Sequence, residues 1–143
     1  ARSGCPPSFV ICWHRCDEPP LLRRRRKRDA RDRSPRRRVL SNQENTFVSR
    51  ALFPPDAGRR AELYELTLKP GVTEKAEPHA RGTTENLVLA RGVAEIEVKE
   101  ERYVLAPGDS LFFTADVAHS YHNPSDVDPA VLYLVMTYAS SRA

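Results

Sequence analysis

Residues 107–124 read PGDSLFFTADVAHSYHNP. Pro107-Gly108 is a turn signal, Leu111–Thr114 is a short run of β-formers, and a second polar break precedes His119, which is followed by Ser-Tyr-His122-Asn123 and Pro124. The pattern is a brief strand, a break and an imidazole-bearing segment, with no room for a helix. The same punctuation continues outward. Thr46–Phe53 ends at Pro54-Pro55, Ala61–Leu68 stops at Pro70-Gly71, and Glu85–Ala90 is closed by Gly92. Val93–Lys99 alternates Ala94, Ile96 and Val98 with Glu95 and Glu97; Tyr103–Leu105 and the apolar run Ala130–Tyr138 complete the set. Short strands separated by turn signals roughly every ten residues predict an all-β barrel or sandwich. No helical periodicity and no internal repeat occurs after residue 45.

Composition divides the chain. Of 143 residues, 23 are Lys or Arg and 19 Asp or Glu, a net charge of +4. Residues 1–45 hold 13 of the basic and 5 of the acidic side chains, leaving 10 and 14 for residues 46–143. A basic arm (1–45) therefore precedes a mildly acidic domain (46–143) large enough for one small core. The length excludes a multidomain enzyme, and no stretch approaches the ~20 apolar residues of a membrane helix. The segment PPLLRRRRKRDARDRSPRRR (19–38) is too charged to collapse and is expected to be disordered. It would attract nucleic-acid phosphates without reading sequence, or simply be solvated. Cys5, Cys12 and Cys16 all lie in the arm, and with His14 they match no zinc-ligand spacing. No secretion signal is evident, so a cytoplasmic location is expected.

Three of the four histidines fall in the β region. The first group lies in Gly71…Glu77-Pro-His79…Glu85…Gly92, the second in Gly108…His119…His122-Asn123. These stretches resemble the two motifs of the cupin superfamily. Gly71, His79, Glu85 and Gly92 fit the first motif, with Glu77 where the first histidine usually falls. Gly108, His119 and Asn123 fit the second, with Thr114 and Asp116 replacing the usual proline and glycine. The resemblance implies a small jelly-roll barrel over about residues 46–140. It also implies a ligand site formed by Glu77, His79, Glu85 and His119, with His79, Glu85 and His119 as metal ligands. Imidazole and carboxylate donors on one side of a cation suit Fe, Mn, Ni or Zn. A metal-free pocket in which both histidines bond Glu85 is the other outcome. Glu77 would be a fourth ligand or a base. His122 is expected at the rim; Leu111, Phe112 and Phe113 in the packing; Tyr64, Tyr103, Tyr121 and Tyr133 as half-buried strand residues. Lys99-Glu100-Glu101 lacks the Asn-Gly or Asp-Gly of a tight hairpin, so a longer or strained turn is expected.

The stretches Ser49–Asp56, Ala61–Gly71, Glu77-Pro-His79, Gly82-Thr83 and Glu85 are further similar to the sensor domain of bacterial XRE-type regulators. In that family a helix-turn-helix module precedes a cupin that binds a small effector. Residues 1–45 show no recognition-helix pattern. The expectation is that this module is missing or that the N-terminus is not the native one, so DNA contact is expected of full-length relatives or non-specifically through the arm. The leading reading is thus an effector-sensing cupin domain, more a binding module than an enzyme and a homodimer. The alternatives are a stand-alone metal-dependent dioxygenase, isomerase or decarboxylase, or a structural cupin dimer.

Overall fold

The computed structural model describes residues 11–13 (backbone only), 38–54 and 58–139. The arginine block before Arg38 and the side chains of Cys5, Cys12, His14 and Cys16 lie outside the described residues. Eleven strands follow in order: β1 (Ile11–Trp13), β2 (Val39–Ser41), β3 (Phe47–Ala51), β4 (Ala61–Leu68), β5 (Thr73–Ala76), β6 (Thr84–Arg91), β7 (Ala94–Val98), β8 (Glu101–Leu105), β9 (Ser110–Thr114), β10 (His119–His122) and β11 (Ala130–Thr137). Among the described residues there is no helix, and none long and apolar enough to cross a membrane.

The strands form two antiparallel sheets, β1-β9-β6-β11-β4-β3-β2 and β5-β10-β7-β8. The all-β architecture expected from the turn spacing is the fold observed, in the cupin-like form that the resemblance implied. The larger sheet, however, reaches past the compositional boundary at residue 45. Val39–Ser41 pairs with β3, and Ile11–Trp13 pairs with β9. Three residues carry too little alternation to register as a strand, and here an existing sheet edge supplies the pairing. β5 and β10 were likewise not anticipated as strands: each has four residues, and their polar outer positions hide the alternation.

The period of two decides what faces inward. In β11, Ala130, Leu132, Leu134 and Met136 are buried while the residues between them are not. In β9, Leu111 and Phe113 join the core, whereas Phe112 turns to the opposite face and is only half-buried. Leu66, Leu68, Leu87, Leu89, Ile96 and Leu105 complete the packed layer between the sheets.

Two motif positions have structural roles. Gly92 has φ 83°, and a Cβ there would lie 2.5 Å from the Pro129 carbonyl oxygen. Only glycine lets β6 turn this close to the start of β11. Asn123 is fully buried: Nδ2 donates to the carbonyls of Asp128 (2.8 Å), Leu68 (3.2 Å) and Lys69 (3.3 Å), and Oδ1 accepts from the Ser125 amide (3.0 Å). One amide thereby ties the β10–β11 loop to the end of β4.

The β7–β8 connection is a two-residue turn, since Val98 pairs with Glu101. It is short rather than long, and its strain lies in Lys99, which has φ 57°. A left-handed non-glycine residue costs about 1–2 kcal/mol. Lys99→Gly should therefore stabilise the domain by about 0.5–1 kcal/mol net of glycine's larger unfolded entropy, raising Tm by a few degrees in a thermal melt. An unchanged or lowered Tm would contradict the strain assignment.

Candidate functional site

Glu85 occupies the inward row of β6 with Leu87 and Leu89, and its side chain is 0% exposed. A carboxylate left alone there would cost several kcal/mol, so the surroundings must compensate it. From the opposite sheet, β10 points His119 and Tyr121 inward, two residues apart on one face. The Tyr121 hydroxyl donates to Glu85 Oε2 at 2.5 Å. His79 arrives from the β5–β6 loop, fixed by its amide hydrogen bond to the Ala115 carbonyl (2.9 Å).

The second Glu85 oxygen is the focus of the site. Oε1 lies 3.2 Å from His79 Nε2 and 3.5 Å from His119 Nε2. The three donor atoms fall within 4.8 Å of one another. Yet Glu85 Oε1 and His119 Nε2 are both buried and make no hydrogen bond. The reason lies at the other ring nitrogen. His119 Nδ1 is 2.8 Å from the Val117 carbonyl, which can only accept, so Nδ1 carries the proton. In a neutral imidazole Nε2 then presents a lone pair toward a carboxylate oxygen. Two acceptors face each other in a buried place, and a proton, a cation or a water donating to both would reconcile them. Anchoring of the distal ring N–H by a backbone carbonyl is the usual support for a ligating histidine.

Burial on its own lowers the pKa of His119 by withdrawing water from the imidazolium. The Glu85 carboxylate and the Val117 carbonyl together outweigh that, and the net direction is upward. Burial, reinforced by the Glu85 charge and hydrogen bond, drives the Tyr121 hydroxyl well above its ordinary value. Tyr121 is therefore a fixed donor. Phe113 meets the His119 ring edge-on at 5.2 Å between centroids, and the His79 ring is 5.5 Å away.

The site opens into a cavity of about 480 Å³ between the sheets, lined near this end by His79, Glu85, Tyr121 and Met136. His79, Glu85 and His119 converge as the sequence suggested. Glu77 is not in the donor cluster: it is exposed, one residue beyond β5, and borders a second hollow that it shares with Lys75, Lys99, Ser120 and His119. His122 faces away from the interior, its Nδ1 2.8 Å from Thr73 Oγ1. Tyr121 is the residue sequence reading undervalued; it is buried rather than half-buried. Its signal was the two-residue step from His119, which puts both on one face of a strand.

The profile of the Cupin domain matches residues 64–136, spanning both motifs and the whole site. The chain belongs to the cupin family. It is 31% identical over 85 residues to the HTH-type transcriptional regulator SutR of Escherichia coli K12, a match covering 59% of this chain and 48% of that protein. The cupin chain thus spans about half the length of that relative. Among solved structures, the Cupin_2 domain of an XRE family transcriptional regulator from Enterobacter cloacae is 27% identical with a TM-score of 0.63, covering 66% of this chain and 99% of that one. An HTH_3 family transcriptional regulator from Vibrio cholerae is 25% identical with the same TM-score, covering 68% of this chain and 53% of that one.

A histidine resonance titration of the metal-free protein tests the electrostatics. With its pKa raised in the fold, His119 stabilises the protein at pH below the unfolded value, and that contribution disappears as pH rises through the folded value. Its titration should lie above that of a free histidine, and in Glu85→Gln it should fall below, because burial is then unopposed. An unmoved midpoint in the variant would refute the pairing.

Proposed function

We propose that this cupin domain is the effector-sensing part of a transcriptional regulator, holding a small molecule in the barrel beside a divalent metal bound by His79, Glu85 and His119. One observation carries the reading. Glu85 Oε1 and His119 Nε2 are buried without a hydrogen bond, the donor atoms of His79, Glu85 and His119 lie within 4.8 Å of one another, and His79 and Glu85 line the cavity. A two-imidazole, one-carboxylate donor set fits Fe, Mn, Ni or Zn. A bound ion supplies Lewis-acidic positions for a ligand's donor atom. Tyr121 holds the remaining Glu85 oxygen, Val117 fixes the His119 tautomer, and Phe113 blocks rotation of the ring.

The regulator half of the reading rests on the relatives, which are described as transcriptional regulators. It implies action as a homodimer in the cytoplasm, with sequence-specific DNA contact through a separate module. The paired residues Tyr133 and Val88, exposed on the outer face of the larger sheet, are in keeping with a self-association surface. The metal-dependent enzyme reading uses the same three ligands and differs in outcome, since a sensor returns its ligand unchanged. Its candidate base, Glu77, stands outside the donor cluster, on a hollow that it shares with His119.

Native mass spectrometry of the purified chain should report one divalent ion per protomer. His119→Ala and Glu85→Gln should each lower metal affinity by about tenfold or more, whereas Glu77→Gln should not. Because His119 must shed its proton to ligate and that proton is held more firmly than usual, affinity should fall as pH drops, with the fall beginning at a higher pH than for an ordinary histidine. Absence of metal across added Fe, Mn, Ni and Zn would defeat the metal-centred reading, and turnover of a bound molecule would move the assignment to an enzyme.

A further inference from the structure

The far end of the same cavity carries a second polar group. Glu62 pairs with Met136, and Met136 pairs with Glu85, so the two glutamates share one rung across β4, β11 and β6. Two strand spacings separate their Cα positions by roughly 10 Å. Both side chains line the cavity, with the apolar Met136, Leu134 and Leu66 between them.

The Glu62 end has a definite hydrogen-bonding character. Tyr64, two residues on and therefore on the same face, donates its hydroxyl to Glu62 Oε2 at 2.5 Å. Tyr138, just past β11, donates to the same oxygen at 2.7 Å. A carboxylate only accepts, so both phenolic hydrogens are committed to it. What remains for an occupant is a group of acceptors: the Glu62 carboxylate and the lone pairs of two phenols, beside two aromatic rings. The phenols, Tyr64 foremost, hold the Glu62 carboxyl below its usual range. Burial and the Glu62 bond raise Tyr64 and push Tyr138 up to about 12. The charge state is therefore settled near neutral pH. Arg38, at the head of β2, is the protein's own cation bordering this end.

We infer that the Glu62–Tyr64–Tyr138 group is the recognition subsite for a primary ammonium, and that the effector is an aliphatic ω-amino acid whose anionic end meets the His79–Glu85–His119 centre. An ammonium offers three donors and no acceptor, matching the lone pairs left on the Glu62 carboxylate and the two phenols; a charge-assisted bond to Glu62 supplies its strength, and the ammonium competes there with Arg38 as the cation. A neutral alkyl terminus would cover that carboxylate and add no charge-assisted bond to the two it accepts from the phenols. The chain of methylenes would lie over Met136, Leu134 and Leu66. This inference rests on the sensing role proposed above.

The test is calorimetric titration of the full chain, metal content measured in parallel, with 6-aminohexanoate and hexanoate as probes. The amino acid should bind at least about tenfold more tightly than hexanoate. In Glu62→Gln that preference should shrink to within about twofold, with metal content unchanged. Tyr138→Phe, a change at a residue beyond the last strand that leaves the fold intact, should reduce the preference in the same direction. Equal binding of the two acids, binding of neither, or a preference that survives Glu62→Gln overturns the inference. Retained metal without ammonium preference would overturn this subsite alone; ammonium preference without metal would overturn the metal-centred reading alone.

Discussion

A carboxylate placed in the hydrophobic row of a strand organises this protein. Glu85 stands on β6 where the alternation calls for another leucine, and it is as buried as Leu87 and Leu89. Burying that charge is tolerable only if every neighbour is arranged around it. Tyr121 donates to one oxygen, and two imidazoles face the other. The strands bearing these groups belong to different sheets, so the site holds together only when the barrel has closed. Fold and site are one constraint seen at two scales.

The compensation is incomplete within the protein itself. With Val117 holding the Nδ1 proton, neutral His119 turns a lone pair toward Glu85, an arrangement that an apolar contact would not relieve and that calls for a donor or a cation between them. Protonation relieves it at one pH and a cation at another. A wholly structural histidine–carboxylate pair would instead align its N–H with the oxygen, giving a hydrogen bond in place of the misaligned 3.5 Å contact seen here.

Much of this was legible in the residues. Turn punctuation gave the all-β architecture, and glutamates alternating with apolar residues in Val93–Lys99 located β7. The resemblance of the two histidine-bearing stretches to the cupin motifs implied the donor set of His79, Glu85 and His119. What escaped notice was short or tertiary in origin. Val39–Ser41 is a strand because β3 offers an edge, not because of its own pattern. Glu77 looked equivalent to His79 in sequence, but the chain leaves β5 at Ala76 and the next side chain points to solvent. Tyr121 was undervalued because tyrosine is common on half-exposed strands. Its role follows only from having Glu85 opposite.

The cavity joins a firmly held floor to a more lightly held rim. β6, β11 and β4 are eight residues long and paired on both sides, which fixes the rung carrying Glu62, Met136 and Glu85. Arg38, Leu40, Ser41 and Asn42 form part of the opposite wall, and they belong to or flank a three-residue edge strand with a single partner. Short edge segments have few ladder hydrogen bonds and sit at the low end of local stability. An occupant held between Glu85 and Glu62 would thus have its spacing set by the rigid sheet, while the energy it gains or loses against β2 falls on the element least costly to displace. That division of rigidity is the one the proposed sensing role would use.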